Sequence, residues 1–247
     1  MLKAVTFDFW NTLFVDIRGR EREQRRADVL AAELSRAGAH PPAAIIDEAL
    51  RTGFGFFDRV WLFEHRTPAC AEIVDSILST LNVQMPAAAH ARVVDEFEQM
   101  ILDLPPEPMP EAPETVRGLA QKYRLAVICD TGYSPGRVLR VLLERHRMLT
   151  DFEYLFFSDE HGMSKPDVRV FQRTLRELGI SGRQAAHIGD IQRTDIAGAQ
   201  AAGMAAVHFI GANRHDAPHS SADATVSHFD ELPRILDGLT RRRRWRR

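Results

Sequence analysis

The chain opens on an apolar run, Leu2 to Phe9, with β-branched and aromatic members and a stop at Asn11. This pattern predicts a short strand buried on both faces. From about Ile17 to Gly38 the spacing changes. Val29, Leu30, Leu34 and Ala37 recur at intervals of three and four on a heavily charged background, which predicts an amphipathic helix. Gly38 is a stop signal, and Pro41-Pro42 can open a second helix. Further helical stretches are predicted near Ala43–Gly55, Pro68–Leu81 and Pro86–Leu102, with no strand between residues 16 and 104. Leu104 to Pro113 then holds five prolines in ten positions, which marks a stiff linker or boundary.

Beyond the prolines the pattern alternates. Helices are predicted near Glu114–Lys122, Pro135–His146, Val168–Leu178, Thr194–Ala202 and Glu231–Leu239. Between them fall apolar runs at Leu125–Cys129, Tyr154–Phe157, Ala185–Ile188 and Ala205–Ile210. Strand–helix alternation predicts an α/β fold, a parallel sheet covered on both faces. The expected organisation is one α/β core, residues 1–15 and 105–240, interrupted after its first strand by an all-helical insert, residues 16–104.

Charge divides the chain. The formal net charge is −2, from 32 basic and 34 acidic residues, but Arg241 to Arg247 hold six arginines and Trp245. Removing them leaves 26 basic residues against 34 acidic ones, so an acidic body carries a basic tail, residues 241–247, expected to be disordered. An acidic body argues against specific nucleic-acid binding. An apolar fraction of 45% with 27% charged residues excludes an unfolded chain. The longest uncharged stretch, Ile196 to Asn213, contains Gln200 and His208 and reads as a helix end plus a strand, so no membrane span is expected. Two cysteines and no secretory leader pattern lead us to expect a cytoplasmic protein, monomeric or homodimeric.

Ligands of open parallel sheets bind beyond the carboxyl ends of the strands. The residues there are Asp8-Phe9-Trp10-Asn11-Thr12, Cys129-Asp130-Thr131-Gly132, Ser158-Asp159-Glu160 followed by Ser164-Lys165-Pro166-Asp167, and Gly189-Asp190 with Asp195 five positions on. Lys165 is one of only three lysines in an arginine-rich chain, beside Lys3 and Lys122. Carboxylates, one lysine and short hydroxyl-bearing loops suit Mg²⁺-assisted chemistry on phosphate, because hard oxygen ligands select magnesium and the cations neutralise phosphoryl oxygens.

In order and spacing these four motifs resemble the haloacid dehalogenase-like (HAD) superfamily, over nearly the whole chain up to about residue 240. The resemblance implies a Rossmann-like core, with the helical insert as a mobile C1 cap. It implies Asp8 as the nucleophile that attacks phosphorus and forms an aspartyl-phosphate. Asp190 would ligate Mg²⁺ with Asp8 and the main-chain carbonyl of Trp10. Asp195 would be a further ligand, directly or through water. Lys165 would hold the nucleophile and the phosphate. The turn Cys129, Asp130, Thr131, Gly132 would offer hydrogen bonds to the substrate, and Asn11 and Thr12 would shape the loop around Asp8. The substrate implied is a small phosphorylated metabolite.

Two positions depart from the family pattern. Its phosphatases carry a second aspartate two residues after the nucleophile, as general acid and base. Here that residue is Trp10, and an indole has no acid–base capacity near neutral pH. Cys129 stands where a serine or threonine usually ends the second strand, and Thr131 is the alternative donor. The 2-haloacid dehalogenase branch, which attacks carbon without a metal, also lacks the second aspartate. That branch loses the acidic fourth motif, whereas Gly189-Asp190 and Asp195 are present here. The order of preference is therefore a Mg²⁺-dependent phosphohydrolase, then a dehalogenase-type hydrolase or a slow or non-catalytic phospho-ligand binder. In the insert, Phe54 to Trp61 is dense in aromatics, expected as cap core. The competing reading is a substrate platform with Arg51, Arg59 or Arg66 gripping a distal anion.

Overall fold

The computed structural model describes residues 1–244. Strand β1 (Ala4–Phe7) is buried along its whole length. Just beyond it, β2 (Phe14–Val15) pairs antiparallel with β3 (Glu107–Pro108), where the chain leaves and re-enters the α/β layer. Between them run four helices: α1 (Gly19–Arg36), α2 (Ala43–Glu64), α3 (Cys70–Leu81) and α4 (Ala87–Asp103). They enclose a core of their own, in which Leu30 and Leu34 of α1 meet Ile46 of α2, Ile73 and Ile77 of α3, and Phe97 of α4.

The remaining strands are β4 (Arg124–Cys129), β5 (Tyr154–Phe157), β6 (Ala185–Gly189), β7 (Ala205–Phe209) and β8 (Ala224–Val226). With β1 they form a six-stranded sheet in the order β5-β4-β1-β6-β7-β8, every neighbouring pair parallel. The chain steps outward from β1 through β4 to β5, then returns to β6 on the other side of β1. This reversal leaves a crevice at the carboxyl ends of β1 and β6, where open α/β sheets bind ligands. Successive side chains on a strand face opposite sides. Val5, Leu125 and Val127 therefore enter one apolar layer, and Ala4, Ala126 and Ile128 the other. Helices α5 (Ala112–Ala120), α6 (Gly136–Arg145), α7 (Ser158–His161), α8 (Val168–Glu177), α9 (Ala197–Ala201) and α10 (Leu232–Arg244) complete the α/β part.

Several elements differ from the sequence reading. Helix α2 does not stop at Gly55 but continues to Glu64. Gly53 serves packing, because a Cβ there would lie 2.5 Å from Ile77 Cγ1 of α3, whereas a Cβ on Gly55 would meet nothing within 4 Å and the helix runs on through it. The proline-rich segment contains β3, and Met109 N–H donates to the Leu13 carbonyl at 2.8 Å. The short helix α7 and the edge strand β8 were not predicted. The helix expected from Thr194 opens with a π-helical turn, Gln192–Ile196. The last helix runs on through Arg241–Arg244, where a disordered tail was expected; Trp245, Arg246 and Arg247 of that tail lie outside the described residues. Among the described residues no helix is long and apolar enough to cross a membrane.

Candidate active site

Asp8 follows β1 directly, its N–H donating to the Ile188 carbonyl at 2.8 Å, so the ladder with β6 fixes the position of its backbone. The chain then turns sharply. Phe9 carbonyl accepts from Leu13 and Phe14, and Asn11 sits at φ +54°, a left-handed conformation that asparagine tolerates. Thr12 is fully buried in this loop, with no partner for its Oγ1.

Lys165 joins the ends of β1 and β6. Its Nζ donates to Asp8 Oδ1 and to Asp195 Oδ1, both at 2.6 Å. Burial disfavours the ammonium, but Asp195 and Asp8 outweigh it and hold the Lys165 pKa well above the usual lysine range. Asp195 is completely buried and fully engaged. Oδ1 also accepts from His187 Nε2 at 3.1 Å, and Oδ2 accepts from Ile191 N–H at 3.0 Å and Thr194 Oγ1 at 3.3 Å. Burial alone would raise the Asp195 pKa; Lys165 and His187 hold it well below the carboxylate range. A Cβ on Gly189 would lie 2.4 Å from Asp195 Cγ, so the glycine before Asp190 makes room for this carboxylate.

His187 is buried in β6, and burial lowers its pKa, which keeps the ring neutral. A carboxylate can only accept, so Nε2 carries the proton and Nδ1 accepts from Thr6 Oγ1 at 2.8 Å. A chain of hydrogen bonds thus runs from Thr6 through His187 and Asp195 to Lys165 and Asp8.

Asp8, Asp190 and Asp195 each place a carboxylate oxygen within 4.8 Å of the other two. Asp190 Oδ2 accepts from Asn213 Nδ2 at 2.9 Å, and its carbonyl accepts from His208 Nε2 at 2.9 Å. Burial, together with Asp195, pushes the Asp190 pKa up to about 6. Burial also raises Asp8 well above the carboxylate range against the pull of Lys165, with Asp195 and Asp190 adding repulsion. Carboxylates crowded in this way, facing one lysine, fit a hard divalent cation.

A cavity of 260 Å³ opens over this cluster, lined on the core side by Asp8, Trp10, Asn11, Asp130, Lys165 and Asp190. The four-helix insert supplies its other wall. Against this architecture, a family model described as haloacid dehalogenase-like hydrolase matches residues 2–203. The chain belongs to that family. Solved HAD-fold proteins align over most of their length. A 2-haloacid dehalogenase from Pseudomonas syringae superposes with a TM-score of 0.70 at 23% identity, covering 96% of this chain and 99% of that one. A HAD phosphatase from Thermococcus onnurineus gives 0.66 at 20% identity, covering 95% and 98%. At these identities the likeness is one of fold. Curated relatives match over shorter stretches. A glyceraldehyde 3-phosphate phosphatase of Methanothermobacter thermautotrophicus is 31% identical over 137 residues, 53% of this chain and 58% of that protein. The pyrimidine 5'-nucleotidase YjjG of Escherichia coli is 29% identical over 131 residues, 52% and 56%. The chain thus spans little more than half the length of these two relatives.

Within this HAD scaffold the residues singled out from sequence separate into two groups. Asp8, Trp10, Asn11, Asp130, Gly132, Lys165 and Asp190 line the cavity. Thr12, Cys129, Thr131 and Asp195 do not. Cys129 is fully buried, and burial raises its thiol pKa, with Asp8 contributing. Thr131 turns toward Ser158, which accepts from the Thr131 N–H at 2.8 Å and lies 3.0 Å from its Oγ1. Asp130 Oδ1 accepts from the Lys165 N–H at 3.0 Å, and Oδ2 from Trp61 Nε1 of α2 at 2.8 Å.

The sequence reading missed His187, Thr6 and Asn213, whereas Phe54, Phe57 and Trp61 of the aromatic segment it named line the cavity. A histidine inside an otherwise apolar strand, two residues before Gly189-Asp190, was the available signal for His187. Of the cap arginines considered, Arg66 is bound by Glu64 and Glu72, Arg59 lies over Phe56, and Arg51 is exposed. None of the three lines the Asp8 cavity, whose cap-side arginines are Arg22 and Arg26.

Proposed function

We propose that the chain is a Mg²⁺-dependent phosphohydrolase acting on a small phosphorylated metabolite in the cytoplasm. The observation that carries this reading is Asp8 at the floor of the cavity, held by Lys165 and facing Asp190. Relatives named as phosphatases support the class of reaction, and a structural neighbour from Bacillus subtilis, YfnB, is described as bound to magnesium. Two free, buried thiols, Cys70 and Cys129, fit a reducing compartment.

Asp8 attacks phosphorus through a carboxylate oxygen, the ester P–O bond breaks, and the leaving oxygen departs with the bonding pair. Water then cleaves the aspartyl-phosphate, releasing inorganic phosphate and restoring the carboxylate. Lys165 orients Asp8 and neutralises charge on the transferring group. Asn11, Asp130 and Gly132, which line the cavity, contact the substrate. Asp8, Asp190 and the Trp10 carbonyl would hold Mg²⁺, which when bound supplies charge neutralisation at the phosphoryl oxygens. We assign Asp195 to holding Lys165 rather than to direct ligation, because both of its oxygens are already taken. Trp10 cannot protonate a leaving group, so the reading favours esters and anhydrides whose leaving oxygen is stable as an anion.

Trp10 also favours a second reading, a dehalogenase in which Asp8 attacks a carbon bearing halogen. That chemistry leaves Asp190 beside Asp8 without a compensating cation. A screen of phosphorylated metabolites and 2-haloacids, with Mg²⁺ or with EDTA, tests both. Phosphate release that stops in EDTA supports the first reading. Halide release that survives EDTA replaces it with the second.

A further inference from the structure

Arg26 projects from α1 into the cavity that holds Asp8. Its guanidinium carbon lies 4.1 Å from the centre of the Tyr133 ring, and its Nε is buried with no hydrogen-bond partner. Several cap arginines are neutralised, Arg22 by Asp16, Arg66 by Glu64 and Glu72, and Arg92 by Glu33, while Arg20, Arg25, Arg51 and Arg59 are exposed and do not line this cavity. Among the described residues Arg26 has no such ion pair. Arg22 lines the same cavity, but its Nη1 also donates to the Leu104 carbonyl at 2.5 Å, so its donors are engaged.

A guanidinium keeps its proton under all ordinary conditions, and burying it without a counter-charge is costly. Burial draws the Arg26 pKa below the usual arginine value. Tyr133 offers a ring face but no negative charge, because burial pushes its phenol up to about 12. The cap's other contributions to the wall include Phe54, Phe57, Trp61 and Ile73, which are apolar apart from the indole N–H already given to Asp130. Glu23, one turn away on α1, raises the Arg26 pKa through space without forming an ion pair with it, and Asp47 and Asp58 line a second cavity on the other side of the guanidinium. On the side of the Asp8 cavity Arg26 meets no carboxylate of its own, and it stands opposite Asp8, Asp190 and Lys165 of the core.

We infer that Arg26 binds a second anionic group of the substrate, a carboxylate or a second phosphate carried on the part that faces the cap. The inference rests on the phosphohydrolase reading for the first anion and narrows the substrate class to molecules charged at both ends. It also gives the cap a reason to close, since the ligand bridges Arg26 of the cap and Lys165 of the core.

The test is calorimetric binding to the full-length chain with Mg²⁺, using phosphonates that cannot be hydrolysed. Three series of matched chain length, two to five carbons, are compared: n-alkylphosphonates, ω-carboxyalkylphosphonates and α,ω-bisphosphonates. At the chain length that fits, a member charged at both ends is expected to bind at least about tenfold more tightly than the alkyl member, as a charge-assisted hydrogen bond provides. A carboxylate advantage assigns one substrate class, and a bisphosphonate advantage the other. Arg26→Gln is expected to erase the advantage, while Arg25→Gln, on an exposed position of the same helix, retains it. Should Arg26→Gln fail to fold, Arg26→Lys decides by a reduced advantage, because ammonium lacks the planar fork. Equal affinities across the three series in the wild type overturn the inference, as does an advantage that survives undiminished in a folded Arg26 variant. Turnover is read separately on phenyl phosphate and 4-carboxyphenyl phosphate. Charge preference in binding without turnover removes the phosphohydrolase reading and keeps the Arg26 site. Turnover without charge preference does the reverse.

Discussion

Trp61 Nε1 donates to Asp130 Oδ2 at 2.8 Å, tying helix α2 to the loop that follows β4. The Arg193 guanidinium lies 5.2 Å from the centre of the same indole, and Ser164 N–H donates to the His65 carbonyl at 2.8 Å. Thr67 Oγ1 and Ser158 Oγ meet at 2.5 Å. The four-helix insert is thus docked on the loops that carry Asp130, Ser158 and Lys165, and its position is coupled to the Lys165 backbone through Asp130.

Replacing Trp61 by phenylalanine keeps an aromatic ring and removes the donor. Asp130 then keeps a buried oxygen without a partner, at a cost of about 1–3 kcal/mol in the docked state. Trp61→Phe should lower kcat/KM by about tenfold, mainly through KM, with little change in thermal stability. Steady-state kinetics on an aryl phosphate measure this. An unchanged KM would show that the contact does not contribute to cap closure.

Asp8→Asn should reduce phosphate release by at least about 10³-fold, because an amide cannot form the acyl phosphate that water cleaves. It should also weaken Mg²⁺ binding, since one of the three clustered carboxylates is gone. A variant that retains more than a tenth of wild-type turnover would remove Asp8 from the role of nucleophile.

The parts of this arrangement that were legible in the sequence are those encoded locally. Strands β1, β4, β5, β6 and β7 are apolar runs bounded by polar turns, and Asp8, Lys165 and Asp190 stand at their ends in a recognisable order. Strand β8 has three residues and one buried side chain, too little for a periodic signal. The pair β2 and β3 is two residues long on each side, one of them Pro108, which normally argues against a strand. His187 and Arg26 escaped for a different reason. Each gains its meaning from a partner the local pattern does not show: Thr6, 181 positions away, and Asp195 across the next turn for the one, Tyr133 and the cavity for the other. Gly55 misled because helix propensity is a weak local preference that the packing of α2 on either side overrides, and the neighbouring Gly53 is needed for the close approach of Ile77.

Magnesium affinity should depend on pH through Asp190. Burial and Asp195 raise its folded-state pKa to about 6, above the ordinary aspartate value near 3.9. The metal-free fold therefore favours the protonated form. Ionising Asp190 costs stability that is intact below about pH 4 and lost as the pH rises through about 6. A cation competes with that proton, so Asp190 should contribute a rise in Mg²⁺ affinity of up to about tenfold per pH unit below 6, with the raised Asp8 carboxyl carrying any further rise above it. Calorimetric titration of Mg²⁺ between about pH 5 and 8 gives the profile. Asp190→Asn should weaken binding and flatten the curve, and a flat curve in the wild type would remove Asp190 from the metal site.

If Asp8 is the nucleophile, as proposed, the identity of residue 10 should set the leaving-group requirement. Trp10 lines the cavity, packed edge-on against Phe9 with ring centroids 5.1 Å apart, two residues after Asp8. Its indole can shape the pocket but cannot deliver a proton to departing alkoxide. An aryl oxide or acyl carboxylate leaves without protonation, whereas an alkoxide does not, and general acid catalysis is worth roughly 10²–10⁴-fold. Wild-type kcat on phenyl phosphate should therefore exceed that on an alkyl phosphate of similar size by about that factor. Trp10→Asp should raise the alkyl rate by at least about tenfold and leave the aryl rate nearly unchanged, narrowing the ratio. The substitution also removes indole volume from the pocket wall, so KM for both substrates is followed to separate packing from chemistry. Equal wild-type rates on the two esters would mean that another group already protonates the leaving oxygen. The carboxyl of Asp130, raised by burial and lining the same cavity, would then be the first residue to replace.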